Sequence, residues 1–91
     1  MDPAEVERAL ESHPLVKEAV VVGIPDGEWG ERVVAVVVSG AVRNPSDDEL
    51  FARMRERLSP AKRPRAIRFL DSIPRNPNGK VDREKIRGLF G

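Results

Sequence analysis

The chain has 91 residues, at most the size of one domain, and contains neither cysteine nor an apolar run near the roughly 20 residues of a membrane span. Residues 1–91 are therefore expected to form a single domain without disulfides, a thiol nucleophile or a membrane span, and with one histidine we expect no metal site. The net charge of +1 is unevenly distributed. Residues 1–50 carry 4 basic and 11 acidic side chains, whereas residues 51–91 carry 12 basic and 4 acidic side chains. The basic second half predicts either an anionic partner or ion pairs with the acidic first half.

The first residues are typical of the start of a helix. Asp2 can cap it, Pro3 suits its first turn, and Glu5 occupies the capping-box position. The pattern predicts a helix of about ten residues that ends before the breaker Pro14. Its apolar face, which must pack against the rest of the domain, consists of Val6, Ala9, Leu10 and His13.

Two continuous runs rich in valine follow, at residues 19–24 and 33–38, and both have the length of a strand. Pro25 and Gly40 close them. Strands without polar alternation need cover on both faces. The polar stretch 26–31, with two glycines, is predicted to join the two strands as a hairpin.

The second half of the chain predicts a helix, a strand and a helix. Ser46 and Glu49 form a capping box, and a helix to about Ser59 buries Leu50, Phe51, Met54 and Leu58. After an interruption at residues 60–64, residues 66–70 form a short strand, and a last helix capped by Asp82 uses Ile86, Leu89 and Phe90. The expected fold is α+β, in the order α-β-β-α-β-α, with a three-stranded sheet containing at least one antiparallel pair.

The segment before the last helix is the least core-like part of the chain. Pro74 and Pro77 stiffen it, Asn78 and Gly79 permit positive backbone angles, and Lys80 is presented on a tight turn. A constrained loop that presents one ammonium suits a phosphate ligand, where lysine acts as a compact point charge. An ordinary loop leading into a helix is the alternative.

The Gly79-Lys80 pair also invites comparison with the phosphate-binding loop of nucleotide hydrolases. That motif requires glycine at the position of Pro74 and a hydroxyl residue at Val81, and it lies between a strand and a helix. None of these conditions is met, so Lys80 is not expected to cradle a nucleotide alone.

Three blocks of sequence resemble the small carboxyl-terminal domain of the adenylate-forming enzymes, which include acyl-coenzyme A synthetases, nonribosomal peptide synthetase adenylation domains and luciferases. Residues 3–7 resemble the end of the motif after the family's hinge, and residues 13–26 resemble its first strand region. Residues 74–83 resemble its last motif, P-x-T-x-x-G-K-x-x-R, with Asn76 in place of the threonine. The similarity runs through essentially the whole chain, and residues 28–31 fit the family's loop between strands.

The resemblance implies a two-step reaction, in which ATP and a carboxylic acid give an acyl-adenylate and a thiol then takes the acyl group. In the family a large amino-terminal domain holds most of the ATP and acid sites, and this small domain rotates between the steps. Lys80 aligns with the family's catalytic lysine. ATP, Mg²⁺ and coenzyme A or phosphopantetheine are implied for the full enzyme, whereas this chain alone is expected to hold no cofactor and to be inactive, because the hinge and the nucleotide pocket lie outside it.

Supporting roles follow from the same resemblance. Gly79 would let the backbone approach the nucleotide, Pro74, Pro77 and Asn78 would shape the loop, and Arg83 matches the last motif arginine. Arg83 is interpreted either as a contact to the nucleotide or large domain, or as a surface charge. Residues assigned a possible contact to coenzyme A or the large domain, with packing or solvation as the alternative, are Trp29, Gly30, Lys62, Arg63 and Arg65. His13 is interpreted as structural.

Other functions remain open at this stage. The closest variant is the lid of a nonribosomal peptide synthetase adenylation domain, whose acceptor is a carrier protein. A stand-alone, non-catalytic interaction module is a second class. A nucleic-acid-binding module is a third, but with three phenylalanines and one tryptophan the chain offers little for base stacking, and we expect no nucleic-acid partner. No secretory signal opens the chain as written, so a cytoplasmic location is expected.

Overall fold

The computed structural model describes residues 3–25, 27, 30–40 and 44–90, and these form three helices and three strands. The elements are α1 (Pro3–Glu11), β1 (Val16–Pro25), β2 (Glu31–Ser39), α2 (Asp47–Arg57), β3 (Ala66–Leu70) and α3 (Arg83–Gly88). The predicted order α-β-β-α-β-α is confirmed. None of the helices in the described ranges is both long enough and apolar enough to cross a bilayer.

The three strands form one mixed sheet in the order β1-β2-β3. β1 and β2 are antiparallel, as the predicted hairpin requires, and their register pairs Val20 with Val36. β2 and β3 are parallel, with Val34 opposite Ala66 and Val38 opposite Leu70. The parallel pairing follows from the connection, because the chain returns through α2 before it enters β3.

Each face of the sheet has its own hydrophobic core, because successive side chains of a strand point to opposite faces. On the first face, α1 and α2 cover the odd-numbered residues of β2 and of β1 after its register shift, together with Val16, which precedes that shift. On the second face, α3 and the segment before it cover the even-numbered residues. The buried residues of the first core are Val6, Ala9, Leu10, Val16, Ala19, Val21, Ala35, Val37, Leu50, Met54 and Leu58. Those of the second are Val20, Val22, Val34, Val36, Val38, Ile73 and Ile86.

The helix ends differ from the predictions by a few residues. Ser46 Oγ accepts a hydrogen bond from Glu49 N at 3.1 Å, as the capping box predicts. α2 ends at Arg57, two residues before the predicted Ser59, because Leu58 already has an extended backbone and Pro60 begins a separate 3₁₀ turn, Pro60–Lys62. The predicted cap at Asp2 lies outside the described residues.

His13 connects the first helix to the second. Its Nδ1 accepts from Leu15 N at 3.1 Å, so the ring proton lies on Nε2, which is 3.1 Å from Glu49 Oε2. The side chain is 11% exposed. These contacts agree with the structural interpretation of His13.

The outer edge of β1 is covered by charged side chains from both faces of the sheet. From α1, Glu11 Oε2 accepts from Ala19 N at 3.3 Å and Glu7 Oε2 accepts from Val21 N at 2.9 Å. From α3, two guanidinium groups donate to carbonyl oxygens of the same edge. These bonds are Arg83 Nη1 to Val21 O at 2.9 Å and Arg87 Nε to Gly23 O at 3.0 Å. Backbone groups at this edge that a further strand would use are thereby bound within the domain.

Candidate functional site

Residues 74–82 form a tight hairpin, here called the Lys80 hairpin, between β3 and α3. Asn76 N donates to Lys80 O at 2.8 Å, and Asp82 N donates to Pro74 O at 2.9 Å. Arg75 and Val81 pair as an isolated antiparallel bridge. The predicted tight turn is therefore present, and Lys80 lies on its returning arm.

The hairpin is fixed to the second core at both ends. Ile73, just before it, is buried, and Val81, on its returning arm, packs against the same core. Asp82 then caps α3, where its Oδ1 accepts from Lys85 N at 3.0 Å. Apolar anchoring and helix capping thus hold the base of a hairpin whose tip is exposed.

Gly79 makes the turn possible. Its φ of +84° lies in the region that only glycine adopts at little cost, and no other kind of residue in the described ranges has a positive φ, so Asn78 does not share this role. A Cβ at Gly79 would meet no atom within 4 Å. Inside this domain the requirement for glycine is therefore conformational.

The side chain of Asn76 closes the turn from within. Its Oδ1 accepts from Asn78 N at 2.9 Å and from Lys80 N at 3.1 Å. This contact was not predicted from the sequence, in which Asn76 is a departure from the family motif. The known preference of asparagine to bond backbone N–H groups a few residues ahead is the signal that could have found it.

The Lys80 side chain is exposed, and within the described part of the chain its ammonium forms neither a hydrogen bond nor an ion pair. The backbone of Lys80, by contrast, is bound through both its N–H and its carbonyl. A backbone held in place and an ammonium without an internal partner suit the binding of an external anion.

An ion pair ties the hairpin to the start of β1. Arg75 Nη2 lies 2.5 Å from Glu18 Oε2, and both side chains are partly exposed. Glu18 lies opposite Val38, which lies opposite Leu70. We call this side of the sheet the hairpin end.

Other predicted site residues lie at the opposite side of the sheet, here called the loop end. Arg65 precedes β3, and its backbone N donates to Val33 O at 2.7 Å. Gly30, with φ +84°, directly precedes β2. Val33 and Val38 are five residues apart on β2, which corresponds to about 17 Å at the usual rise of a strand.

Two of the three basic side chains near the loop end are bound to other groups of this domain. Lys62 Nζ lies 3.0 and 3.3 Å from the carboxylate oxygens of Glu5, and Arg63 Nε donates to Leu58 O at 3.1 Å. The Arg65 side chain is exposed. Trp29 lies outside the described residues.

The exposed residue Arg83 binds the edge of β1, where its Nη1 donates to Val21 O at 2.9 Å. This contact, 62 residues away in sequence, was not foreseen. Within the described ranges, no group of three or more histidine, aspartate or glutamate side chains could hold a metal ion.

Comparison with known proteins gives consistent matches. A family model described as the AMP-binding enzyme C-terminal domain matches residues 5–80, so that Lys80 is the last matched residue. A fatty acid–[acyl-carrier-protein] ligase, ScoC of Streptomyces coeruleorubidus, is 48% identical over 97% of this chain and 17% of its own length. A 3-oxocholest-4-en-26-oate–CoA ligase of Rhodococcus rhodochrous is 48% identical over 88% of this chain and 14% of its own length.

A solved structure agrees in fold as well as in sequence. The amide bond synthetase McbA from Marinactinospora thermotolerans superposes with a TM-score of 0.87 and 41% identity, over 97% of this chain and 18% of that one. The chain therefore spans less than a fifth of the length of each of these relatives. With a family match over most of its residues and a matching fold, the chain belongs to the family of AMP-binding enzyme C-terminal domains.

Proposed function

We propose that this domain is the mobile catalytic lid of an AMP-forming carboxylic acid–thiol ligase, an acyl-coenzyme A synthetase, and that Lys80 acts in its first step. In that step a carboxylate oxygen attacks the α-phosphorus of ATP and pyrophosphate leaves. In the second step a thiol sulfur attacks the acyl carbonyl and AMP leaves. The large amino-terminal domain, not part of this chain, would hold most of the ATP and acid sites.

The observation that carries the proposal is the exposed ammonium of Lys80, which has no partner among the described residues, on a hairpin that holds its backbone at two points. Adenylation forces two anions together, so a positive charge placed between carboxylate and α-phosphate stabilises the transition state more than the separated reactants. Removal of one such group costs about 10²- to 10³-fold in rate. We assign no Mg²⁺ ligand to this chain, because its described residues offer no suitable cluster.

The distribution of residues along the sheet supports a domain that presents different surfaces in the two steps. Lys80 lies at the hairpin end, whereas Gly30 and Arg65 lie at the loop end. A domain fixed in one pose could bring only one of these ends to the nucleotide. Rotation between the steps would use Lys80 for adenylation and the loop end for the thiol, with Lys62, Arg63 and Trp29 as further candidates there.

The acceptor is proposed to be coenzyme A, with the phosphopantetheine thiol of a carrier protein as the alternative. Relatives of both kinds are 48% identical to this chain. Supplying the full-length enzyme with each thiol separately distinguishes the two acceptors. Because ATP and coenzyme A are cytoplasmic metabolites, we place the enzyme in the cytoplasm.

Substitution of Lys80 in the full-length enzyme tests the catalytic role. We expect Lys80→Ala to lower acid-dependent pyrophosphate exchange by about 100-fold or more, because the charge between the two anions is lost. Thioester formation from a preformed acyl-adenylate should change by no more than about threefold, because that step uses the rotated pose.

Lys85 provides the matched control, since it is an exposed lysine five positions along the chain on α3. Lys85→Ala should leave both half-reactions unchanged. Full pyrophosphate exchange by Lys80→Ala, or an equal loss of both half-reactions, would contradict the assignment of Lys80 to adenylation.

A further inference from the structure

We propose that Asn76 is a positioning residue that fixes the direction in which the Lys80 side chain leaves the hairpin. The proposal rests on the role proposed for Lys80, and it assigns to Asn76 no contact with the substrate. Its basis is the hydrogen bonding of the hairpin, in which Asn76 takes part with its N–H, its carbonyl and its side chain.

Both polar backbone groups of Lys80 are bound to the same residue. Lys80 O accepts from Asn76 N at 2.8 Å, and Lys80 N donates to Asn76 Oδ1 at 3.1 Å. Asn76 also binds the two residues before Lys80: Asn78 N donates to its Oδ1 at 2.9 Å, and Gly79 N donates to its carbonyl at 2.9 Å. Three consecutive N–H groups therefore converge on one asparagine.

The side chain of Asn76 supplies two of the four hydrogen bonds of this turn. Bonds from the N–H and carbonyl of Asn76 would form with any residue but proline at this position, since they belong to the main chain. Two of the four bonds end on Oδ1 and are lost when that oxygen is removed. Without them, the N–H groups of Asn78 and Lys80 keep no partner in the hairpin other than solvent.

The consequence for Lys80 is geometric. Its ammonium has no partner among the described residues, so only the backbone determines where the long side chain begins. A displacement of about 1 Å at a reacting group can cost about 100-fold in rate. Arg75 is held against β1 by its ion pair with Glu18, and its Nη1 also reaches Gly79 O at 3.5 Å. The three N–H groups of the turn, by contrast, are all bound by Asn76.

A β-branched residue at position 76 is compatible with the local backbone preference. It precedes Pro77, and a residue before proline favours extended conformations that β-branched side chains tolerate. Asn76→Thr and Asn76→Val have nearly the same shape, and only threonine keeps an oxygen that can accept from a nearby N–H. The two variants therefore isolate the acceptor.

In the full-length enzyme we expect Asn76→Val to lower pyrophosphate exchange by about 10- to 100-fold. Asn76→Thr should remain within about threefold of the unaltered enzyme, because its hydroxyl can accept in place of Oδ1. Thioester formation from a preformed acyl-adenylate should be unchanged in both. Equal exchange rates for the valine and threonine variants would overturn the proposal, and so would an equal loss of both half-reactions in the valine variant.

A second measurement reads the hydrogen bonds directly. Amide hydrogen exchange over residues 78–80 should be faster in Asn76→Val than in the unaltered enzyme and intermediate or unchanged in Asn76→Thr. This readout holds even if the valine variant is less stable, since other segments report the overall change. The same exchange of residues 78–80 in all three proteins would overturn the proposal.

Combination with Lys80→Ala separates this proposal from the proposed function. Because Asn76 acts through Lys80, adding Asn76→Val to Lys80→Ala should cause no further loss of exchange activity. Multiplicative losses would show that Asn76 acts independently and would overturn its positioning role while leaving Lys80 catalytic. Undiminished activity of Lys80→Ala alone would instead overturn the proposed function.

Discussion

Lys80 and Lys62 lie toward opposite ends of the same sheet and are held in opposite ways. Lys80 has its backbone bound twice to Asn76 and its ammonium unpaired among the described residues. Lys62 has its ammonium bound to both carboxylate oxygens of Glu5, at 3.0 and 3.3 Å. Both side chains are positively charged. The candidate catalytic lysine differs in that its backbone is hydrogen-bonded while its ammonium has no partner among the described residues.

Substitution by arginine sharpens this comparison and should have a larger effect than the changes to glycines and to the Glu18–Arg75 ion pair that follow. Lys80→Arg keeps the charge but replaces a compact ammonium with a longer, planar guanidinium, so we expect pyrophosphate exchange to fall by about 10- to 100-fold. Lys62→Arg should leave exchange unchanged, because an arginine can still pair with Glu5. A fully active Lys80→Arg enzyme would mean that charge alone, without exact placement, is sufficient at the hairpin end.

Two glycines allow the same backbone strain to be applied at each end of the sheet. Gly79 and Gly30 both have φ +84°, and a Cβ at either would meet no atom within 4 Å. Alanine at either position should lower the free energy of unfolding by about 1–2 kcal/mol, because a left-handed backbone is unfavourable for L-residues. Chemical denaturation of each variant measures this change.

The two glycine variants should differ in activity although they share the strain. Gly79→Ala should lower pyrophosphate exchange, whereas Gly30→Ala should spare it, because Gly30 lies away from the hairpin end. Gly88→Ala is the control, since this helical glycine has no positive φ and an added methyl meets nothing within 4 Å; it should be neutral or stabilising by up to about 1 kcal/mol. Equal activity of the two strained variants would remove the functional distinction between the ends.

The ion pair that ties the hairpin to β1 should have the smallest effect. The side chains of Arg75 and Glu18 are 45% and 34% exposed, and exposed pairs contribute at most about 1 kcal/mol. We therefore expect Glu18→Gln to lower pyrophosphate exchange by about two- to threefold at low salt, and the difference to vanish at high salt. Glu84→Gln, which removes an exposed ion pair with Arg87 on α3, should leave pyrophosphate exchange unchanged at both low and high salt.

The fold was largely predictable because its signals are local. The valine runs predicted β1 and β2, and Ser46 and Asp82 cap their helices as predicted. The parallel pairing of β3 with β2 was not predicted, since the sequence pattern indicated only one antiparallel pair. A short strand carries no signal for the direction of its neighbour, which depends on the path of the whole connection.

The candidate site was predictable in its residue types but not in its supports. Proline, asparagine and glycine around Lys80 predicted a tight turn from known backbone preferences. The contacts from Arg75 to Glu18 and from Arg83 to Val21 join residues 57 and 62 positions apart. Such contacts arise only when folding brings β1 and the Lys80 hairpin together, so no local sequence pattern predicts them.

The charged cover along the outer edge of β1 has a consequence for how this domain meets other chains. A peptide strand, or the same strand of a second copy, could add to that edge only by displacing the carboxylates of Glu7 and Glu11 and the guanidinium groups of Arg83 and Arg87. Growth of the sheet into a dimer or a fibril is therefore opposed on that side. If the domain acts as the mobile lid proposed above, it would meet its neighbours through side chains along this edge and would separate from them without strand exchange.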